Sequence, residues 1–143
     1  MEIEPTLTPN VNFSDGVIRE HGSGKLTLIG TFHVFNVPKF PFQPPPFFVT
    51  VSLSNFRGKL DHFKIAIRIE EKSSGYVVAS AGGEIATQSE IKQTETVQIP
   101  FQLTGIIPSA GLYSVIVLAQ GEPIGSRDLI VNPITTATQI PGT

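Results

Sequence analysis

The sequence predicts an all-β protein, an immunoglobulin-like antiparallel β-sandwich of about seven or eight strands. Stretches with apolar residues at alternate positions follow one another from Val11 to Val131, and turn-forming residues separate most of them. The segment 47–54 shows the alternation well, with apolar Phe47, Val49, Val51 and Leu53. A chain of 143 residues is long enough to bury one core. We therefore expect a single domain at 11–132 between mobile ends at 1–10 and 133–143.

The first two strands are predicted at Val11–Glu20 and Lys25–Val37, joined by the glycine-containing link His21–Gly24. The side of the second strand expected to face the core carries Leu26, Leu28, Phe32 and Val34. Gly30 lies within this strand, and a glycine there is typical of a bulge or a close backbone approach. We expect the strand to bend at this point from one sheet toward the other.

Prolines dominate the next segment, Pro38–Pro46, which contains five of them in nine residues. Proline cannot donate a ladder hydrogen bond and fixes its own φ, so this segment cannot be a central strand. We expect it to run extended along the surface or along a sheet edge.

The later strands are predicted at Phe47–Phe56, His62–Glu71, Tyr76–Ala81, Glu95–Leu103, Gly111–Ala119 and Ile124–Val131. The strand within His62–Glu71 has the most regular alternation, which places Ile67 in the core and Arg68 in solvent. Pro100 indicates an edge position for its strand. The segment Glu84–Thr94 has no clear period and is predicted to be a loop, and Gln120–Pro123 is predicted to be a hairpin turn.

Two parts of the chain resemble a family of small uncharacterised bacterial proteins. They are Asp15–Glu20 with Gly24–Phe32, and Pro108–Val115 with Gly121–Ile124. The resemblance implies a cytoplasmic β-sandwich, and it supplies no established activity and no catalytic residue. The Gly-x-Tyr pattern that ends at Tyr113 also recurs in immunoglobulin-like sandwiches, where the tyrosine hydroxyl bonds back to the backbone at a corner.

Composition and charge argue against several classes of partner and chemistry. The formal net charge is −2 and the ten basic residues are scattered, so nucleic acid is not an expected partner. The sequence has no run of about 20 apolar residues that would span a membrane, and its acidic start does not look like a signal peptide, so we expect a cytoplasmic protein without a membrane partner. The absence of cysteine excludes thiolate catalysis and thiolate metal ligands.

No motif in the sequence supports catalysis, a metal or a cofactor. Gly22–Thr27 resembles the end of a phosphate-binding loop, but Leu26 occupies the position of the Ser or Thr that binds magnesium, and a strand follows in place of a helix. His21, His33 and His62 lie in different predicted elements. Adjacent Asp61 and His62 would point to opposite faces of a strand, which disfavours a catalytic triad. We therefore expect a protein that is not an enzyme.

Two groups of residues are candidate sites. The first is the aromatic and proline cluster of Phe40, Phe42, Phe47 and Phe48. These rings either cover one end of the sandwich, form an apolar interface with a partner or another copy of the chain, or form a platform on which a sugar stacks. The second is a small polar pocket formed by Asp15, Arg19 and Glu20, for which the alternative is a solvated strand end.

The function predicted from the sequence is a non-enzymatic interaction module that binds a protein partner or associates with itself. The alternative is a small-ligand or carbohydrate binding module. Such a module would need a concave polar face, and the candidates for it are Thr50, Ser52, Ser54, Lys64, Arg68 and Gln98.

Overall fold

The structure, a computed structural model, describes residues 8–54, 62–86 and 96–134. These residues form nine strands and no helix, so the all-β prediction is confirmed. The strands are β1 (Thr8–Arg19), β2 (Leu26–Phe32), β3 (Val34–Val37), β4 (Phe47–Ser54), β5 (Phe63–Glu71), β6 (Val77–Ile85), β7 (Val97–Leu103), β8 (Gly111–Ala119) and β9 (Glu122–Pro133).

The strands form two sheets packed as an immunoglobulin-like sandwich. One sheet has four strands in the order β2-β1-β4-β7, and the other has five in the order β3-β9-β8-β5-β6. Paired strands are antiparallel except β3, which runs parallel to β9. The chain forms hairpins within a sheet at β1–β2, β5–β6 and β8–β9 and crosses between the sheets at the other connections, with one strand more than predicted.

The core lies between the sheets and follows the predicted alternation. The inward residues of β4 and β5 are buried: Phe47, Val49, Val51, Leu53, Phe63, Ile65, Ile67 and Ile69. Aromatic rings fill one end, where Phe47 packs edge-on against Phe35 with ring centroids 5.3 Å apart. Phe32 connects this pair to Phe13, at centroid distances of 4.9 Å from Phe35 and 5.8 Å from Phe13.

The predicted long strand Lys25–Val37 divides at His33, between β2 in one sheet and β3 in the other. Gly30, which has φ +66°, lies just before the crossing, so the predicted bend is confirmed. The division also changes which residues face inward. Phe35 and Val37 pack against the core, whereas Val34 pairs with the exposed Ile130 on the outer side, which corrects the expectation for Val34.

Several strand boundaries differ from the prediction. β1 begins at Thr8, which pairs with Ser54, so residues 8–10 belong to the sandwich and not to a mobile end. β6 continues through Gly82 and Gly83 to Ile85, beyond the predicted end at Ala81. A Cβ on Gly82 would lie 3.3 Å from the Cβ of Ala66, so this glycine permits close strand approach instead of ending the strand.

The remaining predicted segments agree with the structure in part. The predicted loop Glu84–Thr94 is wrong at its start, because Glu84 and Ile85 belong to β6. Residues 87–95 lie outside the described part of the chain, as do residues 55–56 of the predicted strand Phe47–Phe56. Pro100 lies on β7, an edge strand, as predicted. The segment before β4 runs across one end of the sandwich, where the backbone of Phe42 exchanges hydrogen bonds of 2.9 and 2.7 Å with Ile107.

Candidate functional site

The outer surface of the four-stranded sheet is assembled from the residues that alternate with the buried ones. Strand register places them in rows, for example Asn10, Ser52 and Gln98 side by side, and then Asn12, Thr50 and Pro100. We call this surface the neutral face. It consists of Asn10, Asn12, Ser14, Gly16, Ile18, Thr27, Ile29, Thr31, Phe48, Thr50, Ser52, Ser54, Gln98, Pro100 and Gln102.

No residue of the neutral face carries a charge. Its most exposed apolar members lie at one end, where Ile18 is 53% exposed and Ile29 is 47% exposed. Amide and hydroxyl groups occupy the other end, where the Gln98 side chain donates to Ser52 Oγ at 3.3 Å. At the centre the Thr50 hydroxyl is buried and has no hydrogen-bond partner among the described residues.

The outer surface of the five-stranded sheet has a different character. Arg68 Nε lies 3.0 Å from Glu70 Oε2, and Lys72 Nζ lies 2.8 Å from Asp128 Oδ1. Lys64 faces Glu84 across the β5–β6 pair. The two outer surfaces of the sandwich therefore differ in charge, although both are built from alternating strands.

A second polar feature is centred on Glu71, the last residue of β5. Its Oε1 accepts hydrogen bonds from Ser73 at 3.0 Å and from Ser74 at 2.8 Å. Its Oε2 accepts one from Ser109 at 2.9 Å and lies 3.4 Å from the hydroxyl of Tyr113. Hydrogen bonds from Ser74, Ser109 and Ser73, in that order of effect, hold the pKa of Glu71 below its ordinary value.

Tyr113 forms the corner that the sequence predicts. Its ring is buried, and its hydroxyl donates to the Ser109 carbonyl at 2.7 Å, four residues upstream. Burial is the main cause that raises the pKa of this hydroxyl. Glu71 and Tyr113 together connect the β5–β6 turn with the segment that leads into β8.

A surface groove lies beside this cluster. It has a volume of about 430 Å³ and is lined by Glu71, Ser74, Tyr76, Ile106, Pro108 and Ser109. Tyr76 is 60% exposed and Ile106 is 55% exposed, so both present apolar surface to solvent.

Arg127 lies between the two sheets near the N-terminal half of β1. Its guanidinium donates to the Val11 carbonyl and to His33 Nδ1, the latter at 2.6 Å, and lies 4.8 Å from the centroid of Phe13. His62 is 3.1 Å from Glu84, and His21 lies in the β1–β2 turn, so the three histidines are apart. Within the described ranges, no group of three or more potential ligands is placed to hold a metal ion.

The aromatic and proline cluster is divided by the structure. Phe47 is buried in the core, and Phe40 and Phe42 are half-buried against it. Phe48 points the other way because it follows Phe47 in a strand, and it lies half-buried on the neutral face. Three of the four candidate interface rings thus cover the end of the sandwich, and only Phe48 belongs to an outer surface.

The residues of the predicted polar pocket do not form one pocket. Arg19 donates to the Gly24 carbonyl at 2.9 Å, while Glu20 accepts from Ser23 at 2.9 Å, so both stabilise the β1–β2 turn. Asp15 lies over Gly30, where a Cβ would come within 2.5 Å of its carboxylate oxygen. Four residues of extended strand, about 13 Å, separate Asp15 from Arg19.

The polar residues proposed from the sequence as a ligand face also separate. Thr50, Ser52, Ser54 and Gln98 lie on the neutral face, whereas Lys64 and Arg68 lie on the outer surface of the other sheet. Since the two surfaces face opposite directions, these six residues cannot contact one ligand.

Sequence reasoning missed the Glu71 cluster and the exposed Tyr76. The available signal was the carboxylate of Glu71 two residues before Ser73-Ser74-Gly75, a turn whose hydroxyls lie within reach of it. The outward isoleucines Ile18 and Ile29 were a second unused signal, because they interrupt an otherwise polar alternation.

Comparison with known proteins identifies the family of this chain. No curated protein matches the chain. Among the described residues, no helix is long and apolar enough to cross a membrane. A family model described as a family of unknown function (DUF6941) matches residues 11–132. Because that match covers most of the 143 residues, the chain belongs to DUF6941, a family of unknown function.

Proposed function

We propose that this domain is a non-enzymatic interaction module that binds a second copy of itself through the neutral face. The observation that carries the proposal is that none of the residues of the neutral face is charged. Soluble protein surfaces commonly have about 25–35% charged residues. The outer surface of the other sheet follows that pattern, with Lys64, Arg68, Glu70, Lys72 and Asp128.

Depletion of charge is a property of interface cores, because a charge removed from water needs a partner to compensate for its lost hydration. The exposed Ile18 and Ile29 and the half-buried Phe48 supply apolar area on the same face. In a solvated surface these positions gain nothing from apolar side chains, whereas in an interface each contributes by leaving water.

A second copy is the partner that fits this chemistry. Amides and hydroxyls both donate and accept hydrogen bonds, so two identical faces related by a twofold axis can satisfy each other. A face without charge also creates no repulsion against its own copy. A charged partner, in contrast, could form no ion pair with a residue of this face.

The size of the face indicates a weak dimer. Four strands about 4.8 Å apart, with about seven residues each at about 3.4 Å per residue, cover roughly 450 Å² in projection. Stable complexes bury about 800 Å² per partner. We therefore expect association in the micromolar range or weaker, in rapid exchange with monomer.

Sedimentation velocity over a range of protein concentrations tests the proposal. The chain should sediment as a mixture whose average mass rises above 15.4 kDa with concentration. Ile29→Lys places a charge in the interface and should raise the dissociation constant at least tenfold. Ile130→Lys is the matched control, since Ile130 is 42% exposed on the outer surface of the other sheet and its change adds the same charge.

Two results would contradict the proposal. One is a monomer at every concentration, which removes self-association. The other is an equal effect of Ile29→Lys and Ile130→Lys, which would show that net charge, and not the neutral face, governs association.

A further inference from the structure

The groove beside Glu71 combines a fixed anion with exposed apolar surface. Tyr76 and Ile106 present their side chains to solvent, and Pro108 lies next to them in the lining. The groove belongs to the turn between β5 and β6 and to the segment that precedes β8. It is separate from the neutral face, which is formed by the other sheet.

The Glu71 carboxylate is charged and has few free acceptor sites. Each of its oxygens already has two hydroxyl contacts, from Ser73 and Ser74 on one side and from Ser109 and Tyr113 on the other. Because Tyr113 donates its proton to the Ser109 carbonyl, the three serine hydroxyls occupy three of the about four acceptor sites of the carboxylate. The negative charge itself remains, because hydroxyl donors do not neutralise it.

The negative charge of Glu71 favours a cation over a neutral ligand such as a sugar. A cation is attracted by the charge without needing a free lone pair on the carboxylate. The exposed ring of Tyr76 adds a second attraction, since the face of an aromatic ring carries negative potential. None of the lining residues is basic. Lys72, which follows Glu71 in the sequence, already forms an ion pair with Asp128, with Nζ and Oδ1 2.8 Å apart.

We propose that this groove binds an arginine side chain of a partner protein. The flat guanidinium stacks on Tyr76, where arginine is preferred over lysine because of its shape and weaker hydration. The Oγ atoms of Ser74 and Ser109 keep acceptor capacity for its N–H groups. The arginine methylenes then contact Ile106 and Pro108.

An NMR titration of the full ¹⁵N-labelled chain tests this proposal. The probes are Ac-Gly-Arg-Gly-NH₂, the same peptide with citrulline, which keeps the shape of arginine and removes its charge, and the same peptide with lysine. The arginine peptide should shift the amides of Tyr76, Ile106 and Ser109 with a dissociation constant in the millimolar range, because one exposed ion pair and one ring contact are weak. The citrulline peptide should bind at least tenfold more weakly.

Variants of the exposed tyrosine locate the site. Tyr76→Leu should weaken arginine binding severalfold, whereas Tyr76→Phe keeps the aromatic ring and should leave binding nearly unchanged. Added salt should weaken the binding of the wild-type chain. A thermal melt of each variant verifies that the fold is retained.

Three outcomes would overturn the proposal. These are equal binding of the citrulline peptide, equal binding of a matched lysine peptide, and no shift at roughly 10 mM arginine peptide, a concentration that would populate a millimolar site. The titration does not depend on self-association, because it follows residues of the β5–β6 turn and of the segment before β8, which are not part of the neutral face, and it can be repeated with Ile29→Lys.

Discussion

Replacing Tyr113 with phenylalanine removes one oxygen from the corner before β8. The hydroxyl has a single proton and donates it to the Ser109 carbonyl at 2.7 Å, because the 3.4 Å distance to Glu71 is too long for a strong hydrogen bond. The ring stays buried, so the change tests the hydrogen bond and leaves packing intact.

The expected loss in unfolding free energy is about 1 kcal/mol, the typical net contribution of one intramolecular hydrogen bond. Ser109 is exposed, so water replaces the lost donor and the larger penalty of an unsatisfied buried carbonyl is avoided. For a chain of this size, 1 kcal/mol corresponds to about 3–4 °C in melting temperature. Urea unfolding should show a lower midpoint at an unchanged m-value.

Tyr76→Phe is the matched control, since it removes the same atom from the exposed tyrosine and should leave the midpoint unchanged. Alkaline pH gives a second measurement. Because the pKa of Tyr113 is raised above 10.0 in the folded state, its neutral form contributes stability that is complete below pH 10.0 and is lost as pH rises through the folded value. Tyr113→Phe should lack that part of the alkaline decline.

Two results would refute this reasoning. If Tyr113→Phe unfolds at the wild-type midpoint, the corner hydrogen bond does not stabilise the domain. If the loss reaches about 3 kcal/mol, water does not reach the Ser109 carbonyl and our account of the exposed corner is wrong.

Three further predictions concern the loss of stability at acid pH, the rings of Phe40 and Phe42 at one end of the sandwich, and the neutral face. The folded pKa of Glu71 lies below its unfolded value of 4.5, so its contribution to stability is present above pH 4.5 and is lost as pH falls through the folded value. Glu71→Gln should therefore lose less stability than the wild type as pH falls, measured by thermal melts from pH 7 to pH 3. The double change Phe40→Ser with Phe42→Ser should lower stability by about 2–5 kcal/mol in urea unfolding, since both rings pack against the core; an unchanged midpoint would place them in solvent. Thr50→Val should keep or raise the melting temperature, because it removes a buried hydroxyl without a partner among the described residues; a loss above about 1 kcal/mol would show that this hydroxyl is bonded.

Local physics explains the parts of the fold that the sequence predicted. Alternation assigned Phe63 and Ile69 to the core because neighbouring side chains in a strand point to opposite faces. Gly30 predicted the crossing between sheets because its positive φ is accessible to glycine. Pro100 predicted an edge strand because it lacks the N–H that a second neighbour would need.

Parts that depend on tertiary contacts were predicted poorly. Gly82 looked like a strand end, yet the close approach of Ala66 explains a glycine within the strand. Asp15, Arg19 and Glu20 are close in sequence, but an extended chain separates the first from the other two. Nearness in sequence is a weak guide to nearness in space for a β-protein, because most contacts join distant strands.

The neutral face illustrates why alternation alone does not reveal a surface. Each strand that contributes to it shows ordinary outward residues, such as Asn12 in β1, Ile29 in β2, Ser52 in β4 and Gln98 in β7. None of these strands is unusual by itself, since short uncharged stretches are common. They become a charge-free surface only when the order β2-β1-β4-β7 places them side by side, while the charged β5 joins the other sheet. Strand order comes from long-range pairing, so the property that supports self-association emerges from topology and is not visible in any single segment.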